Sequence, residues 1–278
     1  MLDYGAVIGA LEAQRPLWPP GTALGYHART FGFLLDEIVR RIAGKTLSDY
    51  WQQTFARPLH LDLWIGLPEN ENPRVAAMYA PKRGKPPEPK QFYLDLVTPG
   101  TLARKTFSSP YGLKAISEMN NPAIRAKPIV SFGGIGSVGA LGKFYSMLAN
   151  GGKSDGQTFF SQKTVEWMTT TLADGMDRVF QIPTAFSAGF MKDSAKAQGA
   201  AVSSPPNLEE GRLGRRPSLI SRRIFGRSPN AFGHPGAGGS HAFADPDNRV
   251  AFAYVMNQME QSLLPNEKSL RLVDAIYG

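Results

Sequence analysis

The chain has 278 residues, 42% apolar and 19% charged, a balance that excludes a disordered protein and supplies enough apolar surface for a sizeable core. It has no cysteine, which excludes disulfides and thiolate-held metals, and no apolar run of about 18 residues of the kind that crosses a bilayer. Its formal charge of +8 does not mark a nucleic-acid binder, because most of the excess sits in one stretch accompanied by no DNA- or RNA-binding motif.

That stretch runs from Lys192 to Asn230. Eight basic side chains (Lys192, Lys196, Arg212, Arg215, Arg216, Arg222, Arg223, Arg227) outweigh three acidic ones (Asp193, Glu209, Glu210) there. It is rich in Pro, Gly and Ser and reads as a basic loop insertion.

In chain order, residues 2–14 read as a short helix stopped at Arg15-Pro16. The segment Trp18-Pro19-Pro20-Gly21-Thr22 is a turn, since two prolines and a glycine cannot continue a helix. From 30 to 43, Phe31, Leu34, Leu35, Ile38 and Ile42 recur at helical spacing, and Gly44 supplies the stop. Thr46 is a candidate N-cap for a second helix with Leu47, Tyr50, Trp51 and Phe55 on one face, ending before Pro58. Residues 61–67 read as extended and 81–90, rich in Pro and Lys, as an exposed loop. Residues 129–139 are glycine-rich, and a helix over 140–149 follows with Leu141, Phe144, Tyr145 and Leu148 on its apolar face. Another helix is predicted over 161–171. The end has strand character at 240–244 and 249–256, separated by the turn Asp245-Pro246-Asp247-Asn248, before a closing helix over 265–277.

Two distant segments carry the chemistry. Pro20-Gly21-Thr22-Ala23-Leu24-Gly25-Tyr26-His27-Ala28 runs into a helix, and Gly233-His234-Pro235-Gly236-Ala237-Gly238-Gly239-Ser240 runs into strands. Together they resemble the tyrosine motif and the His-x-Gly (otherwise Lys-Thr-Gly) strand of the serine β-lactamase and penicillin-binding-protein superfamily. The resemblance is to its class C-like branch, which holds family VIII carboxylesterases and LACTB-like hydrolases. It covers nearly all of the chain and begins well inside the family domain.

The resemblance implies an α+β, β-lactamase/transpeptidase-like fold: an antiparallel sheet flanked by helices, with a helical region inserted. One partial domain over 1–278 is expected, with a mainly helical part at 1–190, the basic insertion at 191–230, and strands and a helix at 231–278. The family nucleophile is the serine of a Ser-x-x-Lys motif that precedes the tyrosine motif. No serine of this chain has lysine three residues later, so the N-terminal strands and nucleophile helix are expected to be missing and the chain inactive as written.

By resemblance Tyr26 is the base. A phenol titrates near 10, so it needs a neighbouring cation to serve. The Ala237 N–H is implied as half of an oxyanion hole, with Gly236 letting backbone approach the substrate. His27 and His234 are implied in substrate binding, His234 as a weaker carboxylate clamp than lysine. Ala28 replaces the frequent Asn of Tyr-x-Asn, which tilts the implied specificity from β-lactams towards simple esters. The implied partner is a small ester or amide, with no cofactor. The four histidines show no metal-ligand spacing.

Two other readings stay open: a non-catalytic binding protein derived from this fold, and a hydrolase of another class using Ser240 and His241. The latter rests on Gly238-Gly239-Ser240-His241-Ala242, an approximation to a nucleophile elbow that works only at a strand-to-helix turn.

Overall fold

The first part of the chain is helical, as its periodicities predict. Helix α1 (Tyr4–Ala13) starts where the Asp3 carboxylate accepts the Ala6 N–H at 3.0 Å. Helix α2 (Phe31–Ala43) ends at Gly44, whose φ of 66° provides the left-handed C-terminal turn. Helix α3 (Leu47–Trp51) is capped by Thr46 and continues into a π-helical turn at Gln52–Ala56. Strand β1 (Leu63–Ile65) is the core of the extended segment read at 61–67.

The computed structural model describes residues 1–82, 84, 89–197 and 222–278. Half of the loop read at 81–90, and Arg212, Arg215, Arg216, Glu209 and Glu210 of the insertion, lie outside the described residues.

Helices α4 (Lys90–Val97), α5 (Leu102–Ser108) and α6 (Pro122–Arg125) cross the middle of the chain. Strand β2 (Gly134–Gly136) pairs antiparallel with β1, Leu63 opposite Gly136. A Cβ at Gly136 would lie 2.5 Å from Leu63, so the glycine-rich segment serves close backbone approach. Helix α7 (Val138–Ala149) follows, capped by Ser137, and then the small hairpin β3 (Lys153–Ser154) and β4 (Gln157–Thr158). Helix α8 (Gln162–Thr169) has Ser161 as its N-cap.

The rest is sheet. Strands β5 (Ala173–Met176), β6 (Pro183–Phe186), β7 (Met191–Lys192), β8 (Phe232–Pro235), β9 (His241–Asp245) and β10 (Val250–Tyr254) lie side by side in chain order, every pair antiparallel. Helix α9 (Glu267–Tyr277) closes the chain, with Asn266 as its N-cap.

Strand alternation sorts the sheet into two faces. Ala242 and Ala244 of β9 stand opposite His234 and Phe232 of β8, and opposite Ala253 and Ala251 of β10. These small side chains let α7 approach: a Cβ added at Gly142 of α7 would meet Ala253 at 3.8 Å. Ala244 is fully buried in the cluster that includes Met147 and Leu148 of α7. Ala244→Leu should therefore overpack this seam and cost about 1–3 kcal/mol, read as a fall in the denaturant midpoint without loss of β content. On the other face Phe243 and Phe252 stack at 5.2 Å and share a core with Leu270 and Val273 of α9.

A buried carboxylate ties the end of the sheet together. Asp245 is fully enclosed and accepts from the N–H groups of Arg227, Ser228 and Asn248 at 3.1, 3.3 and 3.4 Å. It also takes the Asn248 amide at 2.9 Å and the Tyr277 hydroxyl at 2.7 Å. The turn read at 245–248 is thus an anchor joining β9, the approach to β8 and the last turn of α9. No helix among the described residues is long and apolar enough to cross a membrane.

Candidate active site

The loop that carries the tyrosine motif is shaped by contacts within its own sequence and one across the chain. The Trp18 indole N–H donates to the Ala23 carbonyl at 3.0 Å, and its ring lies so close to Gly25 that a Cβ there would be 2.9 Å away. Leu24 bridges in parallel to Asp177, and the Arg178 N–H donates to the Leu24 carbonyl at 3.0 Å. The Arg178 guanidinium covers the Trp18 ring at 4.9 Å. Asp177 itself is fully buried and accepts the N–H groups of Val179 and Phe180 at 2.7 and 2.9 Å, fixing the turn before β6.

These restraints set Tyr26 in an aromatic nest. Its ring lies 4.6 Å from Phe180, 6.1 Å from Phe107 and 6.2 Å from Phe186. The fourth ring partner is His234 of β8, at 6.0 Å. Two motifs separated by most of the chain therefore meet, and the strand that brings His234 there is the one next to β9.

Burial, and then the nearby Asp177 charge, push the Tyr26 phenol above its ordinary value. At neutral pH it is a neutral phenol. Burial lowers the His234 pKa, so the imidazole is neutral as well. Its Nδ1 lies 2.7 Å from the Pro235 carbonyl oxygen, which makes Nδ1 the protonated nitrogen and leaves Nε2 as an acceptor.

After His234 the chain turns tightly. The Gly236 N–H donates to the Ser240 carbonyl at 2.6 Å and the Gly239 N–H to the Gly236 carbonyl at 3.0 Å. Gly238 and Gly239 have φ of 88° and 122°, the region open to glycine. The neighbouring loop braces the turn: the Gly238 N–H reaches the Ser262 carbonyl at 2.7 Å, and the Glu260 N–H reaches the Gly238 carbonyl at 2.9 Å. Ala237 is exposed at its tip, and its N–H meets no acceptor among the described residues. His27 points elsewhere: its Nε2 is in hydrogen-bond contact with the Thr30 hydroxyl, and its ring lies 6.3 Å from Phe31.

The Ser240/His241 reading is corrected by this geometry. Ser240 enters strand β9 directly, without the helix a nucleophile elbow requires. His241 is 1% exposed among Phe225, Phe243 and Phe252, and neither ring nitrogen meets a hydrogen-bond partner among the described residues. Burial pushes its pKa down to about 3. Between the unfolded value of about 6.5 and 3, acid protonates the unfolded chain but not the native one. Stability conferred by the neutral ring is complete above about pH 6.5 and lost as pH falls towards 3, on the order of 5 kcal/mol. Denaturant titrations at pH 7 and pH 4 should show this slope, and His241→Leu should flatten it.

An open depression of about 390 Å³ lined by Gln52, Ala56, Arg57, His60, Leu61 and Asp62 lies apart from the two motifs. No cluster of His, Asp or Glu among the described residues could hold a metal ion.

The beta-lactamase family profile matches residues 1–275. The chain belongs to the beta-lactamase family. Its α+β architecture is of the β-lactamase/transpeptidase type, with antiparallel sheet and flanking helices. It is 28% identical over 258 residues to the esterase/beta-lactamase LipL of Mycobacterium tuberculosis, covering 88% of this chain and 51% of that protein. Among solved structures it is similar to a penicillin-binding protein homologue from Caulobacter crescentus, with 32% identity and a TM-score of 0.75. It is also similar to a family VIII carboxylesterase, with 29% identity and a TM-score of 0.76. Each superposition covers 99% of this chain and 64% of the other. This beta-lactamase-family chain thus spans about half the length of the curated relative and less than two thirds of these two structures.

Sequence reasoning missed Asp177, Arg29 and the phenylalanines around Tyr26. Arg29, just after the motif, donates to the Phe107 carbonyl at 3.4 Å and also to Gly112, binding the motif to the segment that supplies Phe107. Their only sequence signal was position: Arg29 follows the tyrosine motif, and Asp177 opens a turn between two short polar-apolar segments.

Proposed function

We propose that this chain carries the proton-transfer and oxyanion elements of an esterase-type, β-lactamase-like serine hydrolase, and that its chemistry requires a Ser-x-x-Lys serine which its own sequence does not contain. The observation that supports this best is the approach of Tyr26 and His234, with the Ala237 N–H, which meets no acceptor among the described residues, at the turn three residues on.

In the proposed reaction the serine hydroxyl attacks an ester carbonyl and passes its proton towards the Tyr26 oxygen. The Ala237 N–H and the serine's own N–H hold the developing oxyanion. The alcohol leaves with a proton, and water then opens the acyl-enzyme. Tyr26 as it stands is a poor base, because burial and Asp177 both favour its protonated form. A lysine ammonium beside it would reverse that balance.

The specificity follows from the same surfaces. A neutral His234 and the methyl of Ala28 offer no charge or amide to a substrate carboxylate or acyl amide. The half-buried Phe107 and Phe186 offer apolar ring surface. Small neutral esters fit this better than carboxylate-bearing lactams. A fluorophosphonate probe tests the reading: it should leave this chain unlabelled and label the serine of an added Ser-x-x-Lys segment. Labelling of a serine of this chain would overturn it.

The alternative of a binding protein is favoured by one observation, the raised pKa of Tyr26 with an anion as its charged neighbour. It predicts ester binding without turnover even when the serine is supplied.

A further inference from the structure

Helix α3 ends in two unusual turns that serve the same two side chains. After Trp51 the backbone widens into the π-helical turn Gln52–Ala56, closed by the Arg57 N–H on the Gln52 carbonyl at 3.0 Å. In an α-helix a residue and the fifth one after it stand about 140° apart round the axis. The wider turn brings Arg57 round to the side of Gln52 and Ala56, and all three line the open depression of about 390 Å³. The segment then stops in a Schellman turn. The His60 N–H reaches the Arg57 carbonyl at 3.1 Å, and the Leu61 N–H reaches the Ala56 carbonyl at 2.8 Å. His60 takes the left-handed position of that turn, with φ of 52°, where glycine is the easy choice. Widened helical turns and left-handed residues that carry a side chain both recur at binding sites. Here they deliver Arg57 and His60, both exposed, into one depression.

The charges around the depression are unevenly matched. Asp62 is held by Arg74 at 2.5 Å, and Asp155, the carboxylate that feels His60, is held by Lys143 at 2.7 Å. The Arg57 guanidinium and the His60 ring form no hydrogen bond among the described residues. We infer that the depression binds a small phosphomonoester carrying hydroxyl groups, of the sugar-phosphate class, with the Arg57 fork and a His60 ring N–H on the phosphate oxygens. Guanidinium matches a phosphate with two parallel N–H bonds, and imidazole has an N–H to give in either protonation state. The other polar lining groups are acceptors suited to hydroxyls. Gln52 spends its Nε2 on the Leu63 carbonyl at 3.1 Å and keeps its Oε1, and the Asp62 carboxylate has lone pairs beyond those Arg74 takes. The volume is that of a small-molecule site and exceeds a bare phosphate group. No Phe, Tyr or Trp lines it to stack a base, which argues against a nucleotide or a nucleic-acid strand. The site lies apart from Tyr26 and His234, so this inference does not depend on the function proposed above.

Isothermal titration calorimetry of the full chain tests it, with glucose 6-phosphate, inorganic phosphate and glucose as probes. Wild type should bind glucose 6-phosphate at one site, at least about 10-fold tighter than either of the others. Arg57→Gln should weaken that binding at least about 10-fold. Its fold is not at stake, because the replaced side chain is exposed and forms no bond. Lys45→Gln removes an equal charge from the exposed side chain that holds Gln53, and should leave binding within about 2-fold. His60→Gly separates ligand contact from fold: glycine suits the left-handed turn, so Tm should stay within about 2 °C while binding falls at least about 10-fold. Absence of saturable binding to wild type would overturn the inference, and so would undiminished binding to Arg57→Gln or His60→Gly. An equal loss in Lys45→Gln would replace the site by a diffuse surface charge. Inorganic phosphate bound as tightly as glucose 6-phosphate would overturn the sugar-phosphate assignment.

Discussion

Fusion of a Ser-x-x-Lys segment from a family VIII carboxylesterase relative should raise hydrolysis of short nitrophenyl esters on the order of 10⁶-fold over the chain alone, the usual scale of losing a serine nucleophile. Three deficits are repaired together: the attacking hydroxyl, the second oxyanion donor, and the cation that lowers the Tyr26 pKa against burial and Asp177. In the fusion, Tyr26→Phe should remove about 10²- to 10⁴-fold, the range for a proton-transfer group. Ser240→Ala should leave activity largely intact, since Ser240 opens a strand and His241 lies buried out of its reach. Steady-state assays of the four proteins decide it. Turnover by the unfused chain above about 1 s⁻¹, within the ordinary enzyme range, would sink the missing-nucleophile reading. Ser240 essential with Tyr26 dispensable would place the chemistry at the wrong end of the hairpin.

The largest stability effect is expected at Asp245. Asp245→Ala leaves one buried donor, the Ser228 N–H, and three half-buried ones, from Arg227, Asn248 and Tyr277, without their acceptor. A buried donor deprived of its partner costs about 1–3 kcal/mol, and relaxation and water entry recover part of the sum. A net loss of about 3–5 kcal/mol is expected, which in a chain of this size is a fall of roughly 10 °C in Tm. Tyr277→Phe removes one donor and its acceptor contact only, and should cost about 1 kcal/mol. Calorimetry on the pair separates the carboxylate hub from the single hydroxyl. Equal effects would mean that the hub does not act as a unit.

Long periodic segments were legible in the sequence. The spacing of Phe31, Leu34, Ile38 and Ile42 gave a helix over 30–43, and the structure forms it at Phe31–Ala43. What spacing does not encode is which way such a face turns: here Asp36 and Gly32 win the inner side through specific hydrogen bonds and steric fit. The β9–β10 hairpin was legible from its β-branched and aromatic runs around Asp245-Pro246-Asp247-Asn248. Strands β5, β6 and β7 were not. They are four, four and two residues long and contain Gly175 and Pro183, so neither length nor alternation marks them. Helices α4 and α5 were also missed, each being two turns with mixed polarity. Of the candidate site, the two segments whose rings meet, Tyr26 and His234, stood out because short motifs flank them. The aromatic nest was not, because Phe107, Phe180 and Phe186 come together only when three separate segments pack.

The neighbour-to-neighbour order of the sheet has a kinetic corollary. Each strand from β5 to β10 pairs with the next in sequence, so the sheet can form by successive hairpin closures with little long-range search. One link is long: residues 193–231 separate β7 from β8. Closing it costs more entropy than a five-residue turn would, but the cost grows only as the logarithm of length, about 0.6 kcal/mol per doubling. Three doublings amount to roughly 2 kcal/mol, a tolerable cost for a domain of ordinary stability. Within that link the two ends are pinned, Asp193 taking the Ile224 N–H and Asp245 those of Arg227 and Ser228, so the register that brings His234 to Tyr26 is held by these anchors and not by the length of chain between them.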